Sequence, residues 1–424
     1  MTSPVIGYAG MAHLGLNSAA AAAEKGFETV CYDPDPKHIA KLARNELSIV
    51  EPDLCQLLEK NSRRIRFTAD LRGLTSCDLV YVAADVPTDD LAQSELGPID
   101  SLISQVEAGL RPDGVMVVLS QVPPGFTRGR LRNGRPLYYQ VETLVFGQAI
   151  ERALYPERFI VGCAEPKEPL PPALARFLES FGCPILTMLY ESAELAKIAI
   201  NMCLVASVSV ANTLAELCEK IGADWSEIVP TLKLDKRIGQ YSYLGPGLGI
   251  AGGNLERDLA TVCDLADRNG TDAGVVRAWI ANSRHRRDWA LRILHREVLS
   301  RMENPVITVL GLAYKQDTDS TKNSPSIALL EHLKPFRVRV FDPVVQASVA
   351  PNPRCHGAES ELEACEGADA LAVMTPWTQF SKLDPREVAK LMRGRVVLDP
   401  YGVLKAEACL DAGLSYHTLG VPAR

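Results

Sequence analysis

The sequence predicts an α/β protein in which two Rossmann-like parallel-sheet domains are joined by a helical central region with a long helix. Three observations predict it. Short β-rich runs alternate with amphipathic helical patterns over the first 190 residues. From Glu191 to about Arg301 the pattern changes to long helices with few strand signals, and after about Asn304 the alternation returns. Alternation of this kind marks a parallel sheet wrapped by helices. The domains are expected at 1–190, 191–303 and 304–424, which suits a chain of 424 residues.

In the first part, Val5–Tyr8, Thr29–Tyr32, Leu79–Ala83, Val115–Leu119, Phe159–Val161 and Ile185–Met188 read as strands, with helices over Pro36–Arg44 and Ile99–Leu110. In the middle, Gly245, Gly247, Gly249, Gly252 and Gly253 break the helical pattern, and a helix resumes near Leu255. In the last part, Val306–Leu310, Arg337–Phe341, Ala370–Met374 and Val396–Leu398 read as strands and Pro325–Leu333 as a helix.

Composition narrows the function. A formal charge of -7 leaves no basic stripe for a nucleic acid, but permits a local basic pocket for an anionic small molecule. The 11 cysteines are scattered with no CxxC pair, so they read as small apolar core residues of a reducing compartment. No His and Cys share a metal-ligand spacing, and no metal is expected. The apolar N-terminal stretch lacks a basic n-region, its first Lys or Arg being Lys25. The other apolar run, Ile198–Ala211, carries Asn201, Ser207 and Ser209 and is short for a span. A cytoplasmic protein without membrane association is expected.

The first strand runs into Gly10-Met11-Ala12-His13-Leu14-Gly15, a helix-forming stretch follows, and Asp33 closes the next strand 23 residues after Gly10. This is the G-x-G-x-x-G arrangement with alanine at the second glycine. The first glycine serves the tight turn, the last serves close helix–strand packing, and the helix N-terminus receives a pyrophosphate. A carboxylate at Asp33 hydrogen-bonds the adenosine ribose and repels a 2′-phosphate, so the expected cofactor is NAD. Its expected contacts are Gly10, Ala12, His13, Leu14, Gly15 and Asp33, with Val86, Pro87 and Gln121 further along.

Further motifs make the chain resemble the UDP-glucose/GDP-mannose dehydrogenase family, the nucleotide-sugar 6-dehydrogenases. Glu51-Pro52-Asp53-Leu54 is similar to its E-P-G-L, and Ser120-Gln121-Val122-Pro123-Pro124-Gly125 to its S-T-V-P-P-G. Ala193-Glu194-Leu195-Ala196-Lys197 through Asn201 resembles the helix that bears a Lys and an Asn. Asp235-Lys236-Arg237-Ile238-Gly239 and the glycine loop follow in order, and Val309–Lys315, Thr318-Asp319 and Ser324-Pro325-Ser326 resemble the opening of the C-terminal domain. The resemblance implies NAD held by the first domain, a homodimer formed through the helical middle, and a nucleotide sugar, a UDP-sugar by preference, bound with help from the last. It implies catalytic roles for Glu142, Lys197, Asn201 and Asp258, and substrate contacts from Tyr243, Gly247, Gly249, Gly252, Lys315 and Lys322.

Family enzymes oxidise an alcohol to an acid in two hydride transfers through a thioester, which needs a cysteine nucleophile. Here the loop G-F-G-F-G-G-S-C-F-P-K-D becomes Gly247-Leu248-Gly249-Ile250-Ala251-Gly252-Gly253-Asn254-Leu255-Glu256-Arg257-Asp258, with Asn254 at the nucleophile's place. Cys263 lies nine residues beyond. The motif P-E-F-L-R-E aligns with Val141–Phe146, which keeps Glu142 and replaces the glutamate implicated in thioester hydrolysis with Phe146. Lys322 replaces an Arg, and Asp399-Pro400-Tyr401-Gly402 replaces D-G-R-N. The expected activity is therefore a two-electron oxidation of a nucleotide-sugar alcohol to an aldehyde or ketone, or a redox-neutral epimerisation. Alternatives are a four-electron dehydrogenase with another nucleophile and a nucleotide-sugar-binding protein without turnover.

Overall fold

The computed structural model describes residues 3–47, 49, 51–88, 94–131 and 135–423. The chain packs as two compact units, residues 1–200 and 201–424. A helix over Tyr190–Ile221 carries the chain from one to the other.

The first unit is built on an eight-stranded sheet of β1 (Ile6–Ala9), β2 (Thr29–Tyr32), β3 (Ile65–Thr68), β4 (Leu79–Val82), β5 (Val115–Val118), β6 (Leu137–Gln140), β7 (Phe159–Cys163) and β8 (Ile185–Leu189). Their order is β3-β2-β1-β4-β5-β6-β7-β8. β1, β2, β4 and β5 are buried along their whole length, as strands covered on both faces require, and their Val, Leu and Ile content follows from that. Two apolar clusters lie on the two faces, one including Tyr8, Leu16 and Phe177, the other Val80, Ile103 and Val118. Strand order reverses between β1 and β4, and ligands of open α/β sheets bind at the carboxyl ends of the strands at such a switch point.

The second unit carries a six-stranded sheet of β9 (Val306–Leu310), β10 (Arg337–Phe341), β11 (Cys355–Gly357), β12 (Ala370–Val373), β13 (Val396–Leu398) and β14 (Ser415–His417). Its order is β11-β10-β9-β12-β13-β14 and every pair is parallel. Helices Asn254–Asn269 and Gly274–Arg287 pack against each other within this unit around Leu259, Cys263 and Val276.

The two-sheet α/β class is as expected, with three differences of detail. β6 and β7 run antiparallel, so the first sheet is mixed. Four strands, β3, β6, β11 and β14, were not expected; β3 is only half-buried and carries Arg66, β6 ends in Gln140, and β11 and β14 are broken by His356 and His417, so the apolar signal in each is short. The apolar run Ile198–Ala211 lies inside the 32-residue helix Tyr190–Ile221. Among the described residues this is the one helix long and apolar enough to cross a membrane, so the shortness of the run does not itself exclude a span.

One buried ionic cluster anchors the second unit. Arg286 is fully buried; it donates from Nη2 to Glu219 Oε1 at 3.0 Å and faces Glu216 at 3.3 Å. Glu219 also accepts Trp289 Nε1 and the backbone N–H of Gly420, each at 3.1 Å, which fastens the chain's last turn. Removing one partner of a buried pair strands the other charge. Arg286→Ala is expected to lower stability by about 3 kcal/mol, read by urea unfolding, and Arg286→Lys to recover part of it because an ammonium lacks the planar fork.

Candidate active site

The turn after β1 is shaped by two glycines. Gly10 has φ +92°, and a Cβ there would stand 2.9 Å from the backbone nitrogen of Ala84. A Cβ on Gly15 would stand 1.9 Å from the carbonyl oxygen of Gly10. Strand and helix therefore approach as closely as backbones allow, and the helix His13–Glu24 starts with its N-terminus at the switch point. Ala12 is the N-cap and makes no side-chain hydrogen bond. Asp33 follows β2; its Oδ2 accepts the N–H of Met11 at 2.9 Å and its Oδ1 that of Asp35 at 3.0 Å. A tight glycine turn, a helix N-terminus whose N-cap side chain leaves its donors uncapped, and a carboxylate after the second strand fit a dinucleotide.

Val86 and Pro87 follow β4 and Gln121 follows β5, at the same edge of the sheet as Gly10. Beside the turn, His13 is buried and its Nε2 lies 2.9 Å from Glu51 Oε2. Glu51 also accepts the N–H groups of Gly147 and Ala149, at 3.2 and 2.8 Å. Phe146 stacks on the His13 ring with centroids 3.9 Å apart. The E-P-D-L motif thus clamps the segment that carries Phe146 against the cofactor turn.

Lys197 and Glu142 are brought together. The ammonium donates to the Glu142 backbone oxygen at 3.0 Å and pairs with its carboxylate at 3.1 Å. The same helix carries Glu194, fully buried, whose two oxygens accept the N–H groups of Gly125 and Thr127 at 2.5 and 2.8 Å. Burial pushes its carboxyl up while those hydrogen bonds hold it down. Charge-assisted bonds of this kind contribute roughly 1.5–3 kcal/mol each, enough to hold the S-Q-V-P-P-G loop on the helix.

In the second unit, Asn201 donates from Nδ2 to Asp258 Oδ2 at 2.5 Å, both side chains being buried, and Arg257 lies 3.5 Å from the other Asp258 oxygen. The glycine loop is pinned along its length. Gly247 N–H donates to Asn212 Oδ1 at 2.8 Å, and Ile250 N–H to Ser283 Oγ at 2.7 Å. Gly249 has φ +80°, and a Cβ there would meet the Ser283 carbonyl oxygen at 2.3 Å. Gly252 sits against the Tyr314 ring and donates to the Lys322 carbonyl at 3.1 Å. The Lys315 ammonium lies over the Tyr314 ring, 5.9 Å from its centroid. Tyr243 projects into solvent, apart from these contacts. Tyr401, of the D-P-Y-G segment, hydrogen-bonds the backbone of Leu248 in the loop.

Asn254 is exposed and is the first residue of the helix Asn254–Asn269. Cys263, two turns along, is buried among Leu259, Ala266 and Val276, and burial pushes its thiol up, away from the thiolate a nucleophile needs. Glu256 is half-buried and accepts a hydrogen bond from Asn323. Burial pushes its carboxyl up to about 7, against the pull of Arg287, Lys322 and Arg284.

Motif comparison missed four carboxylates that organise these regions. Glu51 and Glu194 stood inside quoted motifs, and a buried acid in a motif is the available signal for a loop clamp. Asp85 had no such signal and Glu256, though inside the glycine-loop segment, showed nothing of its environment there, because only folding brings Asp85 to the helix end and Glu256 among three cations.

A carboxyl raised in the folded state binds a proton that the unfolded chain has already lost, so stability is lost as pH rises from the unfolded value toward about 7. Glu256→Gln is therefore expected to be more stable than the native chain at pH 8, by about 1–2 kcal/mol, and no more stable at pH 4. Urea unfolding at the two pH values measures this.

Models of the UDP-glucose/GDP-mannose dehydrogenase family match in three segments. The NAD binding domain matches residues 5–177, the central domain 191–284 and the UDP binding domain 308–406. A UDP-glucose 6-dehydrogenase of Pseudomonas aeruginosa is 30% identical, the alignment covering 97% of this chain and 96% of that protein. The UDP-glucose 6-dehydrogenase TuaD of Bacillus subtilis is 27% identical over 98% of this chain and 92% of its own length. Among solved structures, a UDP-glucose dehydrogenase from the hyperthermophilic archaeon Pyrobaculum islandicum superposes with a TM-score of 0.84 at 25% identity, covering 96% of each chain. A UDP-D-ManNAc dehydrogenase from Pyrococcus horikoshii shares the fold, with a TM-score of 0.83 at 22% identity over 98% of this chain and 99% of that one.

Proposed function

The chain belongs to the UDP-glucose/GDP-mannose dehydrogenase family, and from that premise we propose that it carries out only the two-electron half of the family's chemistry. It is an NAD-dependent oxidoreductase of the nucleotide-sugar dehydrogenase type, with a nucleotide sugar as substrate. The proposed reaction takes an alcohol of a nucleotide sugar, by preference a UDP-sugar, to an aldehyde or ketone; returning the hydride to the same carbon makes the reaction an epimerisation. One observation carries this reading. Asn254 stands where the thioester-forming cysteine is expected, and an amide nitrogen does not add to an aldehyde as a thiolate does. Phe146, stacked on His13, gives the expected hydrolytic position no proton-transfer group.

In this reading Gly10, Ala12, His13, Leu14, Gly15 and Asp33 hold the cofactor, with Val86, Pro87 and Gln121 beside them. NAD, when bound, supplies the hydride acceptor. Lys197 donates to the substrate oxygen as negative charge develops on it, and Glu142 holds the ammonium in register. Asn201 orients Asp258, which takes the hydroxyl proton directly or through a water. The alcohol carbon loses a hydride, the hydroxyl loses a proton, and a carbonyl remains. Gly247, Gly249, Gly252, Lys315, Lys322 and Tyr243 are proposed as substrate contacts; the match of a UDP binding domain at 308–406 supports the basic pair's role against a pyrophosphate. We assign 1–190 to cofactor binding, 191–303 to a homodimer interface and 304–424 to the nucleotide.

The test is incubation of the protein with NAD and a panel of UDP-, GDP- and CDP-sugars, reading NADH and product mass together. For a net oxidation, one NADH per sugar and no uronic acid is expected; an epimer with no net NADH is the other form of the same chemistry. Two NADH per sugar with free uronic acid would show a four-electron route, and binding without product would show a nucleotide-sugar-binding protein. In the same assay Asn254→Cys is expected to accumulate a covalent adduct and release little acid, because Phe146 remains.

A further inference from the structure

The cofactor turn contains a carboxylate of its own. Asp85 follows β4, and its Oδ2 accepts the backbone N–H of His13 at 3.3 Å, while the N–H of Leu14 also acts on its carboxyl. These are first-turn N–H groups of the helix His13–Glu24, which have no partner inside the helix and at which a dinucleotide's pyrophosphate binds. The N-cap residue, Ala12, has no side chain able to satisfy them, so Asp85 does it from another strand. We propose that Asp85 is a built-in competitor of the cofactor, capping the helix in the free protein and required to swing off those N–H groups before NAD binds.

The inference rests on the NAD reading of this turn and concerns how the turn is filled. Two features make the cap displaceable. Its bond to His13 is long for a charge-assisted hydrogen bond, and Asp85 is exposed. A carboxylate cannot donate to a phosphate oxygen, and left beside a pyrophosphate it repels it, so the two anions exclude each other from these donors.

The charged groups around Asp85 set the pH dependence. Desolvation pushes its carboxyl above the ordinary aspartate range and Glu142 adds to this, while His13 and the two helix N–H groups pull it down. His13 is itself paired with Glu51, and Glu142 with Lys197. A pyrophosphate nearby pushes the Asp85 carboxyl up further, so NAD binding takes up a proton and affinity falls as pH rises.

The experiment is calorimetric titration of the full chain with NAD at pH 6 and pH 8, in two buffers of different ionisation enthalpy, for the native protein, Asp85→Asn and Asp85→Ser. Both variants remove the charge and keep an oxygen able to accept from His13 N–H, so the second serves if the first does not fold. The expected result is NAD binding about tenfold tighter than native at pH 8, with less proton uptake and a flatter pH dependence. Native-like or weaker NAD affinity with unchanged proton uptake in a folded variant would overturn the proposal and leave the cofactor reading intact. Absence of NAD binding in all three proteins would overturn both.

Discussion

The contact on which the nucleotide-binding unit depends is the approach of the Gly15 Cα to the Gly10 carbonyl. A single added carbon would come within 1.9 Å of that oxygen, so no side chain is sterically possible there. The approach lets the helix begin directly above the sheet, at the reversal between β1 and β4. Every neighbouring group is placed relative to that helix end. Asp33 reaches Met11 from β2, Asp85 reaches His13 from β4, and Glu51 holds the His13 ring that Phe146 covers.

The second unit solves a different problem, which is holding a glycine-rich loop in one shape. Glycine is needed at Gly249 and Gly252 because both have positive φ and because Ser283 and Tyr314 leave little or no room for a side chain. A chain so free of side chains would lose its order without fixed partners, and Asn212, Ser283 and the Lys322 carbonyl supply them. The cost appears at Glu256, where three cations do not fully compensate the desolvation of one carboxylate. Asn254, the residue on which the proposed chemistry turns, opens the helix that follows this loop.

In the proposed reading, the chain's departures from the family motifs have a physical pattern. Asn254, an amide, stands where a carbon–sulfur bond would form, and Phe146, an aromatic ring packed on His13, stands where water would be activated. Lys197 and Asp258, proposed to serve the movement of charge and protons in a hydride transfer, have close polar partners in Glu142 and Asn201. On this proposal, the residues kept need only hydrogen bonds and electrostatics, whereas those replaced belong to covalent chemistry.

The sequence by itself determined the two-sheet α/β class, most central strands and the dinucleotide turn, because buried parallel strands are continuous apolar runs and a glycine turn is spelled in consecutive residues. It also determined the absence of a cysteine from the glycine loop, which is a matter of identity and not of arrangement. The antiparallel β6–β7 pair was not legible, since pairing direction is set by what packs around a strand and not by the strand's own pattern. The charge environments of Asp85 and Glu256 were decided only by tertiary structure. Asp85 lies 72 residues from the N–H group it caps, and Glu256 is shifted by burial against cations from two other segments. Electrostatics depends on distance in space and on exclusion of water, and neither is written in the order of residues along a chain.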